Sequence, residues 1–210
     1  MSRIIALLAA VVLAAACQTQ TQPVPTPSPS PSPHTDPLAA ILQAADVPSG
    51  LTPCAGNGPI DAYLTTLAGT NPSVAATDST RWAGIRTGGA SAGAISIFAA
   101  DPSACNAELG ALSNTKSAMS FVAVFADPGE ADRAWVAGVF GFAPPAVGEV
   151  VPGITRGTAT GLGLSSFTYV RAPLLLASWH RSVFVALVVT NVLDPGAFKA
   201  ATAAVDARLN

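Results

Sequence analysis

SFVAVFADPGEADRAWVAGVF, residues 120–140, runs from an apolar, strand-like stretch through an Asp-Pro pair into a helical one. The second half carries Ala131, Ala134, Trp135, Gly138 and Val139 on one helical stripe. Asp127 can cap that helix by accepting from backbone N–H groups, Pro128 suits the first helical position, and Glu130 completes a capping box. The same unit recurs upstream as AISIFAADPSACNAELGAL (94–112) and downstream as VALVVTNVLDPGAFKAATAAVDARL (185–209). Asp101, Asp127 and Asp194 are therefore read as helix caps, because the proline after each accounts for its position without catalysis.

Between the last two units, Ser166–Arg171, Leu174–Trp179 and Val183–Val192 read as strands suited to antiparallel pairing. The last is nearly continuous in β-branched residues, as in a central strand. His180-Arg181-Ser182 falls between two of these runs, which places His180 in an exposed hairpin. Helices from Pro128 and from Pro195 are expected on one face of the sheet. Upstream, Leu38, Ile41, Leu42 and Ala45 suggest a helix ended by Pro48 and Gly50. Ile60, Tyr63, Leu64 and Leu67 suggest a second, ended by Gly69, and the Asn-Pro and Gly-Gly pairs of 70–90 read as loop. The class is α+β: a mostly antiparallel sheet packed against helices, in a single domain over 38–210.

Residues 1–16 have a charged start at Arg3, ten apolar residues from Ile4 to Leu13, and Ala14-Ala15-Ala16. This is the pattern of an export signal, and the apolar run is too short to span a bilayer. Cys17 follows at once, as in a lipoprotein signal, where its sulfur would take diacylglycerol; an ordinary cut after Ala16 satisfies the same small-residue rule. Residues 17–37, rich in Ser-Pro and Thr-Pro, read as a polyproline-like stalk of about 60 Å reach, with His34 as a solvated linker residue. Assigning Cys17 to lipid leaves Cys54 and Cys105, and in an oxidising compartment a disulfide is the expected state, two buried thiols the alternative.

The chain is 50% hydrophobic and only 10% charged, with a net charge of −2, so it can build a core and has no field to gather a phosphate backbone. Nucleic acid is excluded as a partner. No phosphate-binding loop and no dinucleotide fingerprint appears, and two cysteines with distant histidines make no metal site, so neither cofactor nor metal is expected. Trp82, Trp135 and Trp179 are read as core rather than pocket, and the scattered arginines as solvated.

Gly89-Ala90-Ser91-Ala92-Gly93 satisfies the nucleophile-elbow pattern, and Asp127, Asp132 and His180 follow in triad order. Ile95, Ile97 and Phe98 then read as a strand where the elbow needs a helix. A glycine-rich turn is the reading, with no catalytic residue assigned and a small serine hydrolase as the alternative.

The strand ending at Phe125, the Ala131–Trp135 helix, Trp179-His180-Arg181 before an apolar strand, and the alanine-rich last helix with Asp206 resemble extracytoplasmic lipoprotein domains of actinobacteria. Among those domains are the extracellular sensor domains of some serine/threonine kinases. The resemblance spans residues 94–210 and implies a binding or sensing role without an assigned reaction. The expected protein is thus tethered to the membrane by a lipid on Cys17 and displayed on its outer face. It would bind an unidentified extracytoplasmic ligand or an envelope protein.

Overall fold

The computed structural model describes residues 36–209. The export segment 1–16, the acylation candidate Cys17, His34 and the Pro/Ser tract up to residue 35 lie outside the described residues. Eight strands make one antiparallel sheet: β1 (Thr52–Pro53), β2 (Gly58–Pro59), β3 (Ala90–Ala99), β4 (Ser117–Phe125), β5 (Ile154–Arg156), β6 (Ser166–Arg171), β7 (Leu174–Arg181) and β8 (Phe184–Asn191). Their order is β1-β3-β4-β8-β7-β6-β5, with β2 also pairing with β3. Among the described residues five α-helices complete the α+β fold: α1 (Pro37–Ala40), α2 (Ile60–Thr70), α3 (Pro72–Thr87), α4 (Pro128–Ala137) and α5 (Pro195–Ala207).

Strands β4 and β8 are buried along their whole length, and β3 and β7 along most of theirs, so both faces of the sheet need cover. One face receives α2, α3 and α4, which meet Ile95, Phe121, Leu176 and Leu187. The other receives α1, the segment that follows it, and α5, over Ala94, Val122, Trp179 and Val188. The expectation of α4 and α5 on one face is therefore corrected: Ala131, Ala134 and Trp135 pack on the first, Phe198, Ala201 and Val205 on the second. Neighbouring strands without a polar side leave both faces to be covered. The antiparallel pair β4 and β8, with Ser117 opposite Asn191, also sends its two helices off from opposite ends.

Asp127 and Asp194 cap α4 and α5, accepting at 2.9 Å from Glu130 N and Ala197 N. The first Asp-Pro unit departs from the other two. Asp101 caps only a 3-10 turn over Pro102–Asn106, because the disulfide and neighbouring side chains claim the chain there. Cys105 is bonded to Cys54, with Cα atoms 5.5 Å apart, and the Asn106 carbonyl accepts from Asn71 Nδ2 at 3.0 Å. The helix expected over 38–45 likewise stops at Ala40. Ile41 turns extended and Leu42 N donates to Ser120 Oγ at 2.8 Å, a partner supplied by β4 rather than by the helix.

The largest correction concerns 70–90, expected as loop and found to hold the 16-residue α3. Asn71 caps it, accepting from Val74 N at 3.4 Å, and Pro72 stands at its start, so the Asn-Pro pair works as the Asp-Pro pairs do. Arg208, just beyond α5, makes a two-pronged ion pair with Asp46 at 2.8 Å on both arms, tying α5 to the 3-10 turn over Ala44–Asp46. Burial alone would push the Asp46 carboxyl up, but hydrogen bonds from Arg208 and Gln43 N outweigh it and hold it below its ordinary value.

Candidate functional site

The residues of the G-x-S-x-G reading are found in three places. Ser91 stands in β3 beside a bulge between Ala90 and Ala92, and its hydroxyl donates to Val124 O at 3.2 Å. No helix follows it, and the strand runs on to Ala99. Gly93 admits Trp82: a Cβ there would lie 2.9 Å from the indole ring, so this glycine serves helix-to-sheet packing. Asp127 is occupied as the cap of α4.

His180 is not in the hairpin turn but one residue before the end of β7, with its side chain 13% exposed. The turn comes after it, with Ser182 at φ +52°. His180 Nδ1 lies 3.6 Å from Asp132 Oδ1, and Nε2 donates to Ser182 O at 2.6 Å. Ser165 Oγ also donates to Asp132, at 3.4 Å. The fold thus joins two of the named residues and leaves out the serine. Gly93, Ala123, Val185 and His180 stand opposite one another across four strands, a separation of about 14 Å at the usual strand spacing.

Trp82 and Trp135 pack in the α2–α4 core and Trp179 is fully buried on the other face, so all three are core residues. Trp82 donates its indole N–H to Asp61 Oδ1 at 2.9 Å.

A different region has the form of a binding site. On the α5 face the sheet extends past its cover, and a groove of about 450 Å³ opens between α5, the edge strand β5 with its neighbour β6, and residues 159–162. Thr155 and Thr168 face each other across β5 and β6, and Thr168 stands opposite Ala177, which packs on the α5 side. Both side chains line the floor. Phe198, Leu162 and Ala203 supply apolar walls, and Lys199 stands exposed at the rim. The Thr202 hydroxyl is spent on Phe198 O at 2.9 Å, and Thr160 is paired with Ser166 at 2.6 Å. At one end Asp206 is bound to Arg181 at 2.8 Å.

Apolar walls with a few fixed polar groups suit the capture of a small molecule. Nothing in the groove is arranged as a nucleophile beside a base. Among the described residues no group of three or more His, Cys, Asp or Glu could hold a metal ion, and no helix is long and apolar enough to cross a membrane. No family model, curated protein or solved structure matches the chain.

The sequence reading missed this groove. Its one local sign is the pair of threonines at 155 and 160. The partners Thr168 and Thr202 are separated from them in the chain, and only the packing of α5 brings the set together.

Proposed function

We propose that this protein is a lipid-anchored extracytoplasmic binding module, attached through diacylglyceryl Cys17, spaced from the membrane by residues 17–37, and non-catalytic. The α5 groove is its ligand site. The observation that carries this reading is the groove itself, with an apolar interior, threonine side chains at its floor and an ion pair at one end. The engagement of the Ser91 hydroxyl with a backbone carbonyl, and of His180 Nε2 with another, supports a role without chemistry.

The groove is tested by NMR titration of the labelled domain with a panel of small amphipathic probes. Shifts centred on Thr155, Thr168 and Thr202, lost in Ala203→Trp, are the expected result; shifts elsewhere or none would end the assignment. Intact mass of membrane-extracted protein should show an acylated Cys17, and a product starting there without lipid removes the anchor. Stoichiometric labelling by a fluorophosphonate that disappears in Ser91→Ala would replace binding with hydrolysis.

A further inference from the structure

Among the described residues Asp78 is the one carboxylate placed wholly inside the core of the α2–α4 face, with 0% exposure. It sits on α3 between Ala75 and Trp82, on the side turned to the sheet. Its Oδ2 accepts from Leu109 N at 3.3 Å, and its Oδ1, without a hydrogen-bond partner among the described residues, has Arg81 at 3.5 Å. A buried carboxylate with so few donors is costly to ionise.

The donor Leu109 belongs to residues 107–116, which cross one end of the sheet from the disulfide-held turn at Cys105 to the start of β4. Besides the bond from Ala100 N to Lys116 O at its end, this strap is fastened at three points. Leu109 N is held by Asp78, Glu108 pairs with Arg81, and Asn191 holds both Ala111 O, at 3.3 Å, and Ser113 N, at 3.0 Å. Beneath it lies a cavity of about 30 Å³ lined by Ile97, Leu109, Met119 and Val189 among others.

We propose that the strap over 107–116 is a pH-sensitive latch, closed over Asp78 when that carboxyl is protonated and loosened when it ionises. Opening lets water reach a carboxylate that the closed strap denies it. The groups facing Asp78 are few. Tyr63 on α2 has a buried hydroxyl without a hydrogen-bond partner among the described residues, and burial with the Asp78 charge pushes it up. Arg81 is on α3 and Glu108 on the strap, while β3 and β4 contribute apolar side chains such as Ile97 and Met119.

Burial pushes the Asp78 carboxyl up to about 6, against the Leu109 hydrogen bond and Arg81, which pull it down; Glu108 adds to the rise. Opening returns it toward 3.8 and so releases a proton. The opening constant then climbs with pH, by about 25-fold between pH 4.5 and pH 7, and levels off above the folded value. The latch is tight in acid and loose at neutrality.

Amide hydrogen exchange of the full domain, corrected for the intrinsic effect of pH, tests this. Leu109 protection should fall about 25-fold from pH 4.5 to pH 7 and stay flat in Asp78→Asn, with the β8 amides Leu187 and Val188 better protected throughout. A flat wild-type profile overturns the latch. So does Leu109 protection equal to that of β8 at every pH, since opening would then be global unfolding. A ¹³C titration of the Asp78 carboxyl in the wild type tests it without a variant: a midpoint near 6 supports the latch and one near 3.8 refutes it.

Discussion

The two faces of the sheet are covered unequally. Over one, three helices, a disulfide and the edge-to-face stack of Trp82, Phe121 and Phe140 close the face, and the polar side chains it carries, Ser178 and Asp78 among them, are buried. Over the other, a four-residue helix, an extended segment and α5 cover β3, β4, β8 and β7 but stop short of β5 and β6. The well-covered face stores stability, and the thinly covered face has room for a ligand. A sheet wider than its helical cover must end in an open margin, and here that margin is lined with threonine rather than with large apolar residues.

Phe121→Ala is the sharpest challenge to this division. Phe121 is fully buried and packed against two rings, so its truncation should cost up to about 5 kcal/mol in denaturant unfolding, well above the cost of Phe198→Ala beside the groove. Equal losses would mean that the faces contribute alike. Removing the disulfide by Cys54→Ser with Cys105→Ser should cost about 4 kcal/mol for a bridge spanning 51 residues, read from the same unfolding curves under oxidising conditions. An unchanged midpoint would show that the bridge does not fasten the covered face.

The two faces should answer acid with opposite signs. Asp78 has a raised folded value, so protonation adds stability that is complete below 3.8 and lost as pH rises through about 6. Between pH 7 and pH 4.5 the wild type should therefore gain about 2 kcal/mol relative to Asp78→Asn. Asp46 on the other face is held below its ordinary value, so its contribution is present above 3.8 and lost as pH falls through the lower folded value. Asp46→Asn should cost about 1 kcal/mol at neutral pH, since Arg208 is partly exposed, and progressively less as pH falls through the lowered folded value. Thermal melts of both variants across pH check this. Parallel profiles would contradict the placement of one carboxylate in the interior and the other in an ion pair.

Strands were legible where burial alone decides them. Ser166–Arg171 is β6 with the same bounds, and the β-branched run after Ser182 is β8, because no helical stripe fits a stretch that is apolar throughout. Caps were legible at Asp127 and Asp194. The cap at Asn71 uses the same device, but an Asn-Pro pair also marks turns, and Ala75, Asp78, Trp82 and Ile85 lie on one side of a helix. A carboxylate on that stripe obscured it, since a buried Asp counts as polar in any apolar pattern. Of the threonines in the groove only Thr155 and Thr160 stand close together in the chain. The groove's residues come from β5, β6, a 3-10 turn and α5, and no spacing along the chain marks them as neighbours.

Local chemistry along the chain determined the α+β class, the helix starts at Pro128 and Pro195 and the apolar central strands, because each rests on neighbours a few residues apart. The even cysteine pair pointed to the Cys54–Cys105 bridge. Tertiary packing alone decided which face each helix covers, that α1 ends where Ser120 takes the Leu42 N–H, and that Asp132 meets His180 while Ser91 stays apart. Each of these is a contact between segments distant in the chain, and its free energy depends on what the rest of the fold leaves exposed. The groove follows from that same competition: α5 cannot cover both the central strands and the edge, and burying Trp179 and Val188 removes more apolar surface from water than covering threonines would.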